Sequence, residues 1–136
     1  MNTDTLFSQD VISYSLPITA NGTTYIPSSF NTLLARADVI GIKYTVQNFV
    51  DGIYTPIIQD SSNNSVFTDV DDLFLRVVDR TVTTGQEEAA KLIANGSTYM
   101  GYVPQKQYFK AGVVASGVTT GATVVITIFY QKSLQS

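Results

Sequence analysis

From Val11 to Thr19 the chain alternates strictly. Ile12, Tyr14, Leu16 and Ile18 fall in one phase, and Ser13, Ser15 and Thr19 in the other. A period of two is the mark of a half-buried strand. The same alternation returns between Asp38 and Val50, with Ile40, Ile42, Tyr44 and Val46 inward and Lys43, Thr45 and Gln47 outward. Further on, Gln107 to Ser116 and Ala122 to Gln131 read as two strands joined by the turn Gly117-Val-Thr-Thr-Gly121. The second is rich in β-branched residues and is predicted to dock into a sheet. Its phase buries Val124, Ile126 and Ile128 and turns Thr123, Thr127 and Phe129 outward. Phe49 also falls in the outward phase of its strand. Leu73 to Val78 is a more continuous apolar run, broken only by Arg76, as expected for a central strand.

Turn chemistry divides these runs. Asn21-Gly22 and Asp51-Gly52 are strong hairpin signals, because both residue types tolerate φ > 0. They predict that Thr23–Ile26 and Ile53–Ile58 return along the strands before them. Pro27 stops the first return, and Pro56 within the second argues for a sheet edge or bulge. Asn31 to Ala37 fits a helical turn, Asp60 to Ser65 a polar loop, Val66-Phe67 a brief strand and Tyr99 to Val103 another. One helix is predicted, with Thr84 as cap, Glu87 completing a capping box, and Glu87 and Lys91 spaced to pair. Ala89, Leu92 and Ile93 would share its buried face, and Asn95-Gly96 would end it. The expected fold is all-β: an antiparallel β-sandwich of jelly-roll type with about eight strands and one short helix. Residues 1–10 would form an N-terminal arm and 11–136 a single domain.

Composition narrows the function more than the fold. Net charge is −3, and the eight basic residues are scattered singly, so no electrostatic footprint for nucleic acid is present. With no Cys, disulfides and thiolate metal sites are excluded. With no His, the commonest general base is missing too. No nucleophile elbow or Gly-rich phosphate loop occurs. Glu87 and Glu88 are neighbours on the predicted helix, diverge around it, and read as a solvated face. An enzyme is therefore not expected, nor a cofactor. No apolar run is long enough for a membrane helix, and no signal peptide is visible.

Two patterns invite a sharper reading. Asp60, Ser62, Asn64, Thr68 and Asp71 stand at calcium-loop positions, but Ser65 replaces the required Gly and Asp71 the bidentate Glu. No metal site is assigned. Tyr25-Ile-Pro27, Tyr54-Thr-Pro56 and Tyr102-Val-Pro104 form a small recurrence. It reads as strand-end punctuation or, alternatively, as a ring of tips making a contact surface. On the second reading the candidate interface residues are Tyr25, Phe49, Tyr54, Tyr102 and Phe129. Tyrosines at loops (Tyr25, Tyr54, Tyr99 and Tyr102) would also be the platforms if the chain bound carbohydrate.

Two passages carry a resemblance. One is Thr55-Pro-Ile-Ile-Gln-Asp-Ser-Ser-Asn-Asn64, a strand running into an Asp/Ser/Asn loop. The other is Gly101-Tyr-Val-Pro-Gln-Lys-Gln-Tyr-Phe-Lys-Ala-Gly112, followed by a Gly/Thr turn and the strand Val124-Val-Ile-Thr-Ile-Phe-Tyr130. Their order resembles small β-sandwich virion proteins of bacteriophages, including the penton-type single jelly rolls of icosahedral phages with internal membranes. Gln59-Asp60 departs from the Ile-Asp-Asn expected there, and Gln107-Tyr108-Phe109 lacks the family's intervening Gly and following Pro. The resemblance implies a non-enzymatic capsid, vertex or decoration subunit located in the virion. Its partners would be copies of itself and other virion proteins, with no direct nucleic-acid contact and no membrane insertion.

Overall fold

The computed structural model describes residues 9–35, 40–77 and 86–131. They form an all-β sandwich of ten strands: β1 (Gln9–Ile18), β2 (Gly22–Tyr25), β3 (Phe30–Asn31), β4 (Ile40–Gln47), β5 (Ile53–Ser61), β6 (Thr68–Asp69), β7 (Leu75–Val77), β8 (Gly96–Tyr102), β9 (Tyr108–Ser116) and β10 (Ala122–Gln131). A single turn of helix, α1 (Gln86–Ala89), accompanies them. One sheet has the order β1-β10-β4-β8-β7, the other β2-β9-β5-β6, with β3 also pairing with β9. All pairings are antiparallel.

The predicted phases hold. Val124, Ile126 and Ile128 of β10 and Ile40, Ile42, Tyr44 and Val46 of β4 are buried, facing Phe109, Ala111, Val113 and Ala115 of β9. At one end the core closes on aromatic rings, with Phe30 4.7 Å from Tyr130 and 5.3 Å from Phe109, and Tyr102 4.9 Å from Phe109. The outer face of the first sheet carries cross-strand hydroxyl pairs, Ser13 with Thr127 and Thr45 with Ser97.

Both hairpin expectations fail, and for one reason. After Asn21-Gly22 the chain leaves β1 and pairs β2 with β9; after Asp51-Gly52 it leaves β4 and pairs β5 with β9. β1 instead finds β10, matched over ten residue pairs, where β2 offers four positions. Each cross-strand pair contributes roughly 0.2–1 kcal/mol, so the longer ladder wins over the nearer strand. Two further expectations need correction. The run at Leu73–Val78 is not central, because β7 is a three-residue edge strand. The helix ends at Ala89, Leu92 forms a bridge to Tyr54 instead, and Gly96 opens β8 rather than closing a helix. The proposed cap Thr84 lies outside the described residues, as do residues 1–8 of the expected arm, while Gln9 and Asp10 belong to β1.

Pro56 stands at an edge, as expected. The N–H groups of alternate β5 residues point away from β9, and each is handled differently. Tyr54 exchanges backbone hydrogen bonds with Leu92, Pro56 has no N–H, and Ile58 donates to a Glu87 carboxylate oxygen. Glu87 is therefore a half-buried partner of the sheet backbone, not a solvated helical side chain.

Candidate functional site

Three connections meet at one end of the sandwich and are tied together by Asp51. Its Oδ1 accepts from the backbone N–H groups of Thr119 (3.1 Å), Thr120 (3.2 Å) and Gly121 (2.8 Å), and its Oδ2 from Thr120 (3.1 Å). Burial alone would raise this carboxyl. The three N–H donors outweigh it and hold the group below its usual value. Asn21 completes the tie by accepting from Val118 N–H, and Val50 N–H donates to Gly121 O. Gly121 has φ +102°, and a Cβ there would lie 1.8 Å from the Ile18 carbonyl oxygen. Only glycine fits where the β9–β10 turn passes over the end of β1.

The opposite end is held by a buried carboxylate. Asp60 points inward from β5 and accepts from the Tyr102 hydroxyl at 3.0 Å, and its other oxygen lies 3.4 Å from Lys106 Nζ. Burial above all, with the Asp60 carboxylate adding, pushes the Tyr102 phenol well above its usual value; the Gln105 N–H pulls the other way. Asp60 is thus committed to the β8–β9 loop. The rest of the 60–71 segment is organised by Asn63, whose Oδ1 accepts from the N–H groups of Ser65 and Val66. Asp71 accepts from Leu73 N–H. Among the described residues no group of three His, Cys, Asp or Glu side chains could hold a metal.

Beside this end lies an open cleft of about 570 Å³, lined by Tyr25, Pro27, Ser28, Ser29, Phe67 and Lys110 among others. Lys110 Nζ sits 4.0 Å from the Tyr25 ring centre and 4.6 Å from that of Phe67. Two ring faces on one ammonium make a cation–π clamp. The Tyr25 ring reaches it by lying across Gly112, where a Cβ would come within 2.6 Å of Tyr25 Cδ1. Burial, then Asp69 and Glu87, raise the Tyr25 phenol.

The five predicted interface residues do not come together. Tyr54 and Tyr102 are core residues, 1% and 0% exposed, and they stand at opposite ends. Tyr54 donates to the Asp51 carbonyl and Tyr102 to Asp60. Pleat phase explains this: both side chains face the other sheet, so the Tyr-Pro recurrence forms no ring of tips. Phe49 is half-buried against Tyr54 in an edge-to-face contact at 6.2 Å. Phe129 is half-buried on the outer face of the first sheet, its Cβ 3.6 Å from where Gly41 would carry one. Tyr25 borders the cleft. Sequence reading missed Lys110 and Phe67 beside it. The Lys110-Ala-Gly112 spacing, a cation and a bare position on one strand face, is the signal that could have found them.

No family model and no curated protein matches this chain. Among solved structures it is similar to the SPBc2 prophage-derived protein YomS, with TM-score 0.48 and 12% identity over 89% of this chain and 94% of that one. It is also similar to a subunit of Bacillus endospore appendages, described as disulfide-linked pili, with TM-score 0.45 and 13% identity over 93% of this chain and 89% of that one. A third likeness, TM-score 0.35 and 16% identity, covers 93% of this chain but 13% of the IMPa metallopeptidase from Pseudomonas aeruginosa. At these values the likenesses say nothing about what the chain does.

Proposed function

We propose that this chain is a structural virion protein, a capsid, vertex or decoration subunit that works through self-assembly and contacts with other virion proteins. The observation that carries the reading is the strand order. The orders β1-β10-β4-β8 and β2-β9-β5-β6 interleave the two halves of the chain in the winding of a jelly roll. That is the architecture implied by the resemblance of the Thr55–Asn64 and Gly101–Gly112 passages. A second support is what the acidic residues are used for. Asp51, Asp60 and Glu87 hold loops and strand edges, so their chemistry is spent on the scaffold. Light scattering on the purified protein across a wide concentration range tests this. Growth beyond the monomer, with closed rings or lattices by negative stain, is the expected result. A monomer at every concentration that captures no other virion protein overturns it.

A second reading is favoured by one feature, the Tyr25–Lys110–Phe67 cleft. Its aromatic rings, ammonium and neighbouring Ser28 and Ser29 hydroxyls are the ingredients of a carbohydrate-binding surface. A glycan array decides it: hits that Tyr25→Ala and Lys110→Gln both abolish would support a lectin-like role, and a blank array removes it.

A further inference from the structure

We propose that the free edge of β1 is the docking surface for a second copy of this chain, β1 against β1, antiparallel about a twofold axis. This deepens the assembly reading and rests on it, since it requires the chain to self-associate.

Edge strands invite pairing, and proteins normally blunt them. Among the described residues the other edges are blunted. β7 has three residues, β2 four and β6 two. β5 beyond β6 is closed by the Leu92 bridge, by Pro56 and by the Glu87 carboxylate. β1 is different. It runs ten residues, pairs with β10 on one side, and among the described residues has no paired strand on the other. Val11 to Ile18 contains no charge, and Pro17 guards only its last turn of the ladder.

The side chains tell the same story independently. Ile12, Tyr14 and Leu16 point toward the core yet stay half-exposed. Their counterparts one strand in, Val124, Ile126 and Ile128, are 1%, 0% and 1% exposed. An apolar row therefore lies open beneath the free edge. On the outer face Val11 is 54% exposed beside its pair partner Phe129, itself half-buried. A strand laid along β1 would cover both.

The occupant that fits is β1 itself. An antiparallel backbone ladder is self-complementary about a twofold axis. The charge-free Val11–Ile18 stretches meet without repulsion, the antiparallel pairing sets the two Asp10 residues at opposite ends, and each copy brings its own Ile12, Tyr14 and Leu16 to extend the open row. Centred on Ser13 or Tyr14, nine residues of each copy pair this way and make about eight backbone hydrogen bonds, within the range a specific interface carries. The product is one continuous sheet with five strands from each copy.

Light scattering and engineered cysteines test the proposal together. The wild-type chain should pass from monomer to dimer with concentration. Ser13→Lys with Ser15→Lys places four like charges across the twofold on outward positions, and should raise the dimer dissociation constant about tenfold or more. The circular dichroism of the sheet should be unchanged. The chain has no cysteine, so Ser13→Cys and Ser15→Cys, singly and mixed, report strand contact directly. They should form disulfide-linked dimers under mild oxidation, while Thr24→Cys on β2 should not. If the lysine variant unfolds, the cysteine result alone decides. Association that the lysines leave intact, with no selective cross-link, sinks the β1 edge and leaves the assembly reading standing. A chain monomeric at every concentration sinks both.

Discussion

The two ends of the sandwich use the same group in different ways. At one, the Asp51 carboxylate near the surface gathers the N–H groups of Thr119, Thr120 and Gly121. At the other, buried Asp60 takes a phenol hydroxyl and stands near a lysine. The surface version organises backbone and depends on a glycine to let the turn approach. The buried version organises side chains and depends on every partner being present, because a buried polar group without its partner costs more than the bond contributes. The Asp51 end should therefore fail through geometry, and the Asp60 end through desolvation.

Four experiments break or sharpen that contrast. Gly121→Ala should be the most damaging change, more than about 3 kcal/mol, because its Cβ would overlap the Ile18 carbonyl and φ is positive. Denaturant unfolding measures it, and a loss under about 1 kcal/mol would mean that the turn can rise off β1. Next, Asp60→Ala should cost roughly 2–3 kcal/mol, leaving the Tyr102 hydroxyl buried without its acceptor. Lys106, with a side chain 42% exposed, can turn to solvent and adds little.

The third experiment pairs two core phenols. Tyr102→Phe should cost about 1–2 kcal/mol through the lost bond to Asp60. Tyr44→Phe should be nearly neutral, since the Tyr44 hydroxyl is buried and, among the described residues, makes no well-formed hydrogen bond, with only the Gly112 backbone close by. Equal effects in the two variants would show that the Asp60 bond contributes nothing. The smallest effect is expected from acid. The Asp51 carboxyl is depressed in the folded state, so its contribution is complete above the unfolded value, near pH 4, and is lost as pH falls through the folded value. The melting difference between wild type and Asp51→Asn should be constant from pH 6 to about 8 and shrink below about pH 4. A difference independent of pH would show that the charge plays no part.

Much of the fold was readable from alternation alone. The phases of β4 and β10 placed their buried rows correctly, and that of β1 its half-buried inward row, because burial on one face imposes a period of two whatever the neighbour is. Partners were not readable. Asn21 and Asp51 carry the signature of a local turn, yet their side chains reach the distant 118–121 segment, and nothing in a short window reports a contact so far along the chain. The candidate interface was least readable. Tyr54 and Tyr102 sit beside prolines at strand ends, a context shared by exposed tips and buried caps. What separates these is whether an acceptor lies within reach, and Asp60 comes within reach of Tyr102 only through the packing of the two sheets.

The pairing of Gln9 with Gln131 sets a clock on biosynthesis. Translation proceeds at about 5–20 residues per second, so β1 leaves the ribosome on the order of ten seconds before β10 can meet it. Throughout that interval a ten-residue strand whose only charge is Asp10 lacks its β10 ladder, and nascent chains spaced along one message would carry identical copies of it. Whatever keeps those copies apart during synthesis must act on the growing chain, before the sandwich exists to protect it.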